Sequence, residues 1–278
     1  MSLTLFPLSP ALGVEVAGVD LARPIDGRTA GALRDAFREH HLLLLRDQEI
    51  DGDAQIWFAT LFGPVSHRGA FMKDRDFTHV SNVREGGVLG SGVLRFHSDH
   101  TFFRHPLRAV CLYAIEIPPS GGDTLFANAA AAYANLPDGL RRRIAGRRSL
   151  QLFDYGGDYN RRVLERDAAP DAPRCWHPLT LEDGAGRTVL FMHALTTAAV
   201  DGLGDAETGV LIEELVAYIA DPAVGYRHVW RPGDVIVWNN ITLQHARTDF
   251  DAHARRTLRR VPIAVSDAEA RDETATAA

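Results

Sequence analysis

The chain has 278 residues, 46% of them hydrophobic, and a formal net charge of −6. That is enough apolar material for a sizeable core, and the acidic balance, without a basic stripe or an arginine/aromatic array, argues against a nucleic-acid surface. No apolar run approaches the roughly 20 residues of a membrane span, and Cys111 and Cys175, the only cysteines, make neither a disulfide framework nor a CxxC clip. The opening MSLTLFPLSPALG has no charged leader and no long apolar stretch, so the reading is a cytoplasmic protein without a signal peptide.

In chain order, Val14 to Val19 alternates as a short strand. Asp26 to His40 reads as an amphipathic helix capped by Asp26, with Ala30, Leu33, Ala36 and Phe37 as its apolar stripe. Leu42 to Leu45 is a buried strand, and Asp51 to Phe62 a helix stopped by Gly63-Pro64. Strand patterns follow at His79 to Val83, Arg108 to Ile115 and Asp123 to Ala127, the last two separated by Pro118, Pro119, Gly121 and Gly122. Asn128 to Gly146 is helical with a break at Pro137. Gly156 to Arg174 is polar and aperiodic, a long connection of the kind that forms lids or binding loops. Strands resume at Cys175 to Leu181 and Thr188 to Met192, a helix spans Glu207 to Ala220, and strands return at Tyr226 to Trp230, Val235 to Trp238 and Leu258 to Val265. The segment from about 267 reads as a frayed tail. With no internal repeat, this order predicts one domain over residues 1–278, a mainly antiparallel β-core decorated by helices.

The informative tripeptide is His97-Ser98-Asp99. On a strand, residues i and i+2 share a face, so an imidazole and a carboxylate reach one metal from one side. His245, which follows the strand ending at Trp238, is the natural third ligand. Two His and one carboxylate on one face of an octahedral ion suit iron(II) oxygenases. A 2-oxoacid on such an iron needs a cation for its far carboxylate, and arginine's planar fork suits that task. In Arg255-Arg256-Thr257-Leu258-Arg259-Arg260, alternation puts Arg256 and Arg260 on one face, and Arg255 and Arg259 are read as a solvated face. His100, His177 and His193 read as structural, Phe102 and Phe103 as core. Phe153, Tyr155 and Tyr159 read equally well as lid aromatics or loop packing. Lys73, the single lysine, follows the glycine-rich stretch after Gly63-Pro64 and is either an exposed lysine or a substrate anion's partner.

Four motifs carry a resemblance to a known family: F-H-S-D-H-T-F at Phe96 to Phe102, P-P-S-G-G-D-T at Pro118 to Thr124, V-W-N-N-I-T-L-Q-H at Val237 to His245, and R-R-T-L-R-R at Arg255 to Arg260. In this order they resemble the taurine dioxygenase / 2,4-dichlorophenoxyacetate dioxygenase family of iron(II)- and 2-oxoglutarate-dependent enzymes. The resemblance extends to Gly13 to Leu21, Leu42 to Gln48 and Phe62 to Pro64. It implies a double-stranded β-helix, or jelly roll, with His97, Asp99 and His245 on iron. It also implies that Thr124 and Arg256 bind 2-oxoglutarate, that Arg260 holds an anionic group of the substrate, and that Trp238 walls the pocket. The implied reaction consumes 2-oxoglutarate and O₂, hydroxylates a small anionic molecule, and releases succinate and CO₂. Asp99 stands where related halogenases lack a carboxylate, so halogenation is not expected.

Three departures stand out. Trp238-Asn239-Asn240 replaces the family's W-D-N, Thr180-Leu181-Glu182-Asp183 replaces an R-T-H-P stretch, and Val93 to Arg95 lacks the asparagine of taurine enzymes, which makes taurine a poor candidate. Two alternatives stay open at this point: a tailoring oxygenase of specialised metabolism acting by desaturation or rearrangement, and a metal-binding jelly roll without oxygenase activity. The expected partner is a small molecule, with neither nucleic acid nor membrane, and a homo-oligomer is left open.

Overall fold

The computed structural model describes residues 3–68, 76–154, 159 and 161–271. Its elements, in chain order, are β1 (Thr4–Pro7), β2 (Val14–Ala17), α1 (Gly27–His40), β3 (Leu42–Leu45), α2 (Gly52–Thr60), β4 (Thr78–Ser81), β5 (Leu94–His97), β6 (Ala109–Glu116), β7 (Thr124–Asn128), α3 (Ala129–Ala134), α4 (Asp138–Ile144), β8 (Arg148–Leu152), β9 (Arg174–Pro178), β10 (Thr180–Glu182), β11 (Thr188–Leu190), β12 (Thr197–Val200), α5 (Asp205–Ile219), β13 (Gly225–His228), β14 (Val235–Asn239), β15 (Leu243–Arg247) and β16 (Thr257–Ile263). The larger sheet runs β1-β2-β3-β14-β6-β16-β4 and the smaller one β13-β7-β15-β5. A three-stranded sheet β12-β8-β9 and the hairpin β10-β11 complete the set.

Period-2 alternation sorts the large sheet's side chains onto two faces. Leu43, Leu45, Val235, Val237, Cys111 and Val261 point outward against Leu33 and Phe37 of α1 and Phe58 of α2. Leu42, Leu44, Ile236, Trp238, Leu112 and Leu258 point inward and meet Phe126 of β7 and Leu243 of β15. Helices α3 and α5 cover the outer side of the smaller sheet through Ala129, Leu211 and Leu215. The result is two facing sheets with helices outside each, the jelly-roll architecture, and the space between the sheets holds the site.

Asp26 caps α1 by accepting from Thr29 N at 2.7 Å, and Asp51 caps α2 by accepting from Ala54 N at 2.9 Å. Several elements differ from the sequence reading. The stretch Cys175 to Leu181 breaks into β9 and β10 around Leu179, whose backbone instead bonds Arg147 and Phe191. The strands β1, β8, β12 and β15 carry weak alternation and only emerge with their partners. At the C-terminal end of the described residues, His67 N donates to Ala270 O at 2.8 Å, and Ala270 is buried.

His41 closes α1 in the left-handed region, with φ of 65°. It is buried; Arg187 Nη2 donates to its Nε2 at 2.8 Å and Thr242 Oγ1 lies 3.1 Å from its Nδ1. Because a guanidinium only donates, Nε2 must be unprotonated and Nδ1 carries the hydrogen. Burial, then the Arg187 charge, pushes His41 down to about 4. The unfolded imidazole titrates near 6.5, so the unfolded chain takes up the proton first as pH falls. This contribution is complete above pH 6.5 and is lost between 6.5 and 4, by up to about 3 kcal/mol. His41→Asn, which the left-handed position accommodates, should flatten that part of a Tm-against-pH curve; an unchanged slope would remove His41 as its source.

Candidate active site

His97 ends β5 and lies directly opposite His245 of β15 in the ladder. Their imidazole centroids are 4.2 Å apart. Asp99 Oδ1 lies 3.4 Å from His97 Nε2 and 3.7 Å from His245 Nε2. Among the described residues these three form the one group of three side chains that could hold a metal ion, with donor atoms all within 4.8 Å of one another. Asp99 sits in the turn after β5, not on the strand, so strand alternation does not bring its carboxylate to His97. Asn240 does: its Oδ1 accepts from Asp99 N at 2.8 Å, and its Nδ2 donates to Asp99 O at 3.0 Å and Leu107 O at 2.9 Å. The neighbouring Asn239 Oδ1 accepts from the Ile241 and Thr242 amides, a turn bond that an amide makes as well as the carboxylate of W-D-N.

The protonation states fit a divalent metal. His97 Nδ1 donates to Arg95 O at 2.8 Å, which leaves the Nε2 lone pair toward Asp99 and His245. Burial, then the neighbouring His97, pushes His245 down to about 3, so it is neutral at pH 7. Burial alone would raise the Asp99 carboxyl, but Arg260 and the two imidazoles outweigh it and hold Asp99 well below the usual carboxylate range. Arg260 reaches across from β16 and places Nη2 at 2.5 Å and Nε at 3.1 Å from Asp99 Oδ2. One carboxylate oxygen therefore faces the imidazoles and the other faces the guanidinium.

Beside these groups a cavity of about 40 Å³ is bounded by Thr124, Trp238, Arg247, Arg256 and Arg260, together with Asp99 and His245. Three larger hollows, of about 450, 440 and 380 Å³, lie on the outside, against α1, against α4 and beside Arg147 and Asp201. None contains the His/Asp cluster, so the small cavity is the one beside the candidate metal ligands. Trp238 is buried with its ring centroid 4.8 Å from that of His245. Thr124 Oγ1 accepts from Trp230 Nε1 at 2.9 Å, which leaves the hydroxyl hydrogen free to donate. Arg256 donates to Gly122 O from Nη2 at 2.9 Å and Nε at 3.2 Å. A Cβ on Gly122, whose φ is 68°, would come within 2.9 Å of Arg256 Nε, which explains the glycine before Asp123-Thr124. Burial, then Arg247, pushes Arg256 down to about 9, still protonated at neutral pH.

Arg259 corrects the reading of a solvated face. It is buried between the rings of Tyr113 and Phe77 and donates to Gln55 Oε1, Ile50 O and Asp51 O, because alternation turns it outward onto α2. Arg255 is exposed and pairs with Glu116 at 2.8 Å. His177 bonds Phe103 O at 3.0 Å, His193 bonds Gln151, and His100 packs on Phe102 and Phe103. Phe153 packs on Phe102 at 4.9 Å. Lys73 and Tyr155 lie outside the described residues. Two site residues escaped the sequence reading. Asn240 stood inside a quoted motif, and Arg247 stood two residues past His245, on the same strand face by the same alternation.

The family description "Taurine catabolism dioxygenase TauD, TfdA family" matches residues 4–261. The alpha-ketoglutarate-dependent 2,4-dichlorophenoxyacetate dioxygenase of Cupriavidus pinatubonensis is 32% identical over 281 residues, covering 94% of this chain and 97% of the relative. Pentalenolactone F synthase of Streptomyces avermitilis is 29% identical, covering 96% and 95%. The crystal structure of a putative alpha-ketoglutarate-dependent taurine dioxygenase from Burkholderia xenovorans superposes with a TM-score of 0.78 at 25% identity, covering 95% of this chain and 93% of that one. Fold and relatives together define the class: an iron(II)-dependent dioxygenase with 2-oxoglutarate and O₂ as co-substrates. The chain belongs to the TauD, TfdA family.

Proposed function

We propose that the protein oxidises a small organic anion and that His97, Asp99 and His245 hold its iron, with Thr124 and Arg256 on the distal carboxylate of 2-oxoglutarate. Bound iron supplies the activation of O₂, coupled to conversion of 2-oxoglutarate to succinate and CO₂. The rest is positioning. Trp238 walls the site, and the burial of Arg256 and Thr124 keeps water from the co-substrate's anchor. Arg260 holds the substrate's anionic end so that one C–H bond is presented for oxidation.

The observation that carries this reading is Arg260, 8% exposed at the cavity wall, whose Nε and Nη2 engage Asp99 while Nη1 is left for an incoming anion. The relative acting on 2,4-dichlorophenoxyacetate, a carboxylate, supports the same substrate class. Lys73 is a second candidate for that anion, and Lys73→Ala should then raise the substrate KM. No described helix is long and apolar enough to cross a membrane. With a net charge of −6, we place the chain in the cytoplasm as one domain with a small-molecule partner and no nucleic acid.

The test is succinate release across a panel of small carboxylates, sulfonates, sulfate esters and their neutral analogues, with Fe(II), ascorbate and 2-oxoglutarate. Charged members should drive succinate formation and neutral analogues should not. In Arg260→Gln the KM of an accepted anion should rise about tenfold or more, for loss of a charge-assisted bond, while the KM for 2-oxoglutarate stays within about twofold. Preference for neutral molecules would refute the substrate class.

A further inference from the structure

Arg247 adds a third guanidinium to the cavity of Arg256 and Arg260. It sits two residues beyond His245 on β15 and pairs in register with Thr124 of β7. It is 4% exposed. Its Nε and Nη2 both donate to Gly92 O, at 3.0 and 2.6 Å, while Nη1 is buried and makes no hydrogen bond. Among the described residues neither Arg247 nor Arg256 makes an ion pair within 4.0 Å; Asp249 and Asp123 act on them only from farther away. The two guanidiniums share the ring of Phe250, at 5.4 and 5.7 Å from its centroid. Buried charges are ordinarily paired. Two buried guanidiniums with no directly paired carboxylate, beside a hydroxyl that can still donate, leave a place for one anion.

We propose that Arg247 is a second cationic holder of 2-oxoglutarate's distal carboxylate, its Nη1 donating to the anion alongside Arg256 and Thr124. This rests on the assignment of Arg256 and Thr124 to that carboxylate. Arg247 is thus a binding residue as well as a tether for the segment that ends at Gly92.

The two roles separate when the ligand is trimmed along with the protein. Calorimetric titration of the Mn(II)-loaded protein compares 2-oxoglutarate with 2-oxopentanoate, which carries a methyl in place of the distal carboxylate. Arg247→Met should raise the 2-oxoglutarate Kd about tenfold and leave the 2-oxopentanoate Kd within about twofold, as expected for loss of a charge-assisted bond to the missing group alone. Arg247→Lys keeps the charge without the two-pronged hold on Gly92 O. It should weaken 2-oxoglutarate by about threefold, and it carries the same comparison if the methionine variant does not fold. Equal weakening of both ligands would reduce Arg247 to a tether and overturn the proposal. So would an unchanged 2-oxoglutarate Kd in Arg247→Met while Arg256→Met raises it. An Arg256→Met protein with normal 2-oxoglutarate affinity would instead bring down the carboxylate assignment itself, and the proposal with it.

Discussion

Asn240→Ala should strip the protein of most of its iron affinity although residue 240 is not a ligand. The side chain is fully buried and makes three hydrogen bonds, two of them to the backbone of Asp99. Since Asp99 lies in a turn, these bonds fix where its carboxylate points. Loss of a partner that orients a metal ligand typically lowers affinity about 10- to 100-fold. The unpaired amide and carbonyls left behind should cost about 2 to 3 kcal/mol of stability as well. Asn240→Asp is the sharper variant. A carboxylate still accepts from Asp99 N but meets the carbonyls of Asp99 and Leu107 with no hydrogen to give, so it should do no better than alanine. Fe(II) affinity by competition with a chelator, read beside a melting curve, checks both. A melting loss with unchanged iron affinity would show that Asp99 is held by something else.

Arg259→Met should have the opposite profile, a large loss of stability with the chemistry retained. Its guanidinium bonds Gln55 Oε1 at 2.6 Å, Ile50 O at 2.9 Å and Asp51 O at 2.7 Å, and lies 4.9 Å from the Tyr113 ring centroid. These contacts pin β16 to the start of α2. Removing them leaves buried acceptors unpaired and loses a partly desolvated cation–π contact, about 3 to 4 kcal/mol together. At this chain length that should lower Tm by about 6 to 10 °C. Arg260, the next residue, faces the cavity on the opposite side of the strand. At 25 °C kcat/KM should therefore stay within about twofold for a variant that remains folded. A variant with an unchanged Tm would mean that the guanidinium is dispensable to the packing.

The same contrast shows how far a sequence can be read. Residues whose partners are near in sequence, or whose alternation is regular, were legible: the caps Asp26 and Asp51, the core strand Leu42–Leu45, and the facing of Arg256 and Arg260. Arg259 was misjudged because charge suggests solvent, whereas its surroundings are set by α2, about 200 residues earlier in the chain. The His97-Ser98-Asp99 motif pointed to side chains that the fold brings together, but for an incomplete reason. The strand stops at His97, and the carboxylate is aimed by Asn240, 141 residues on. Arg247 was open to the same alternation applied to His97, yet its burial and its unpaired Nη1 appear only when β7, β15 and the segment before Gly92 meet.

His97 and His245 stand directly across from each other on hydrogen-bonded strands. Their separation is therefore inherited from the ladder, whose cross-strand spacing of roughly 4.5 to 5.5 Å is common to antiparallel sheets. The bite offered to a metal is a property of backbone pairing and owes little to the loops around it. Such a centre can keep its gauge while the surrounding connections lengthen, shorten or change residues, and relatives under a third identical carry names as different as 2,4-dichlorophenoxyacetate dioxygenase and pentalenolactone F synthase.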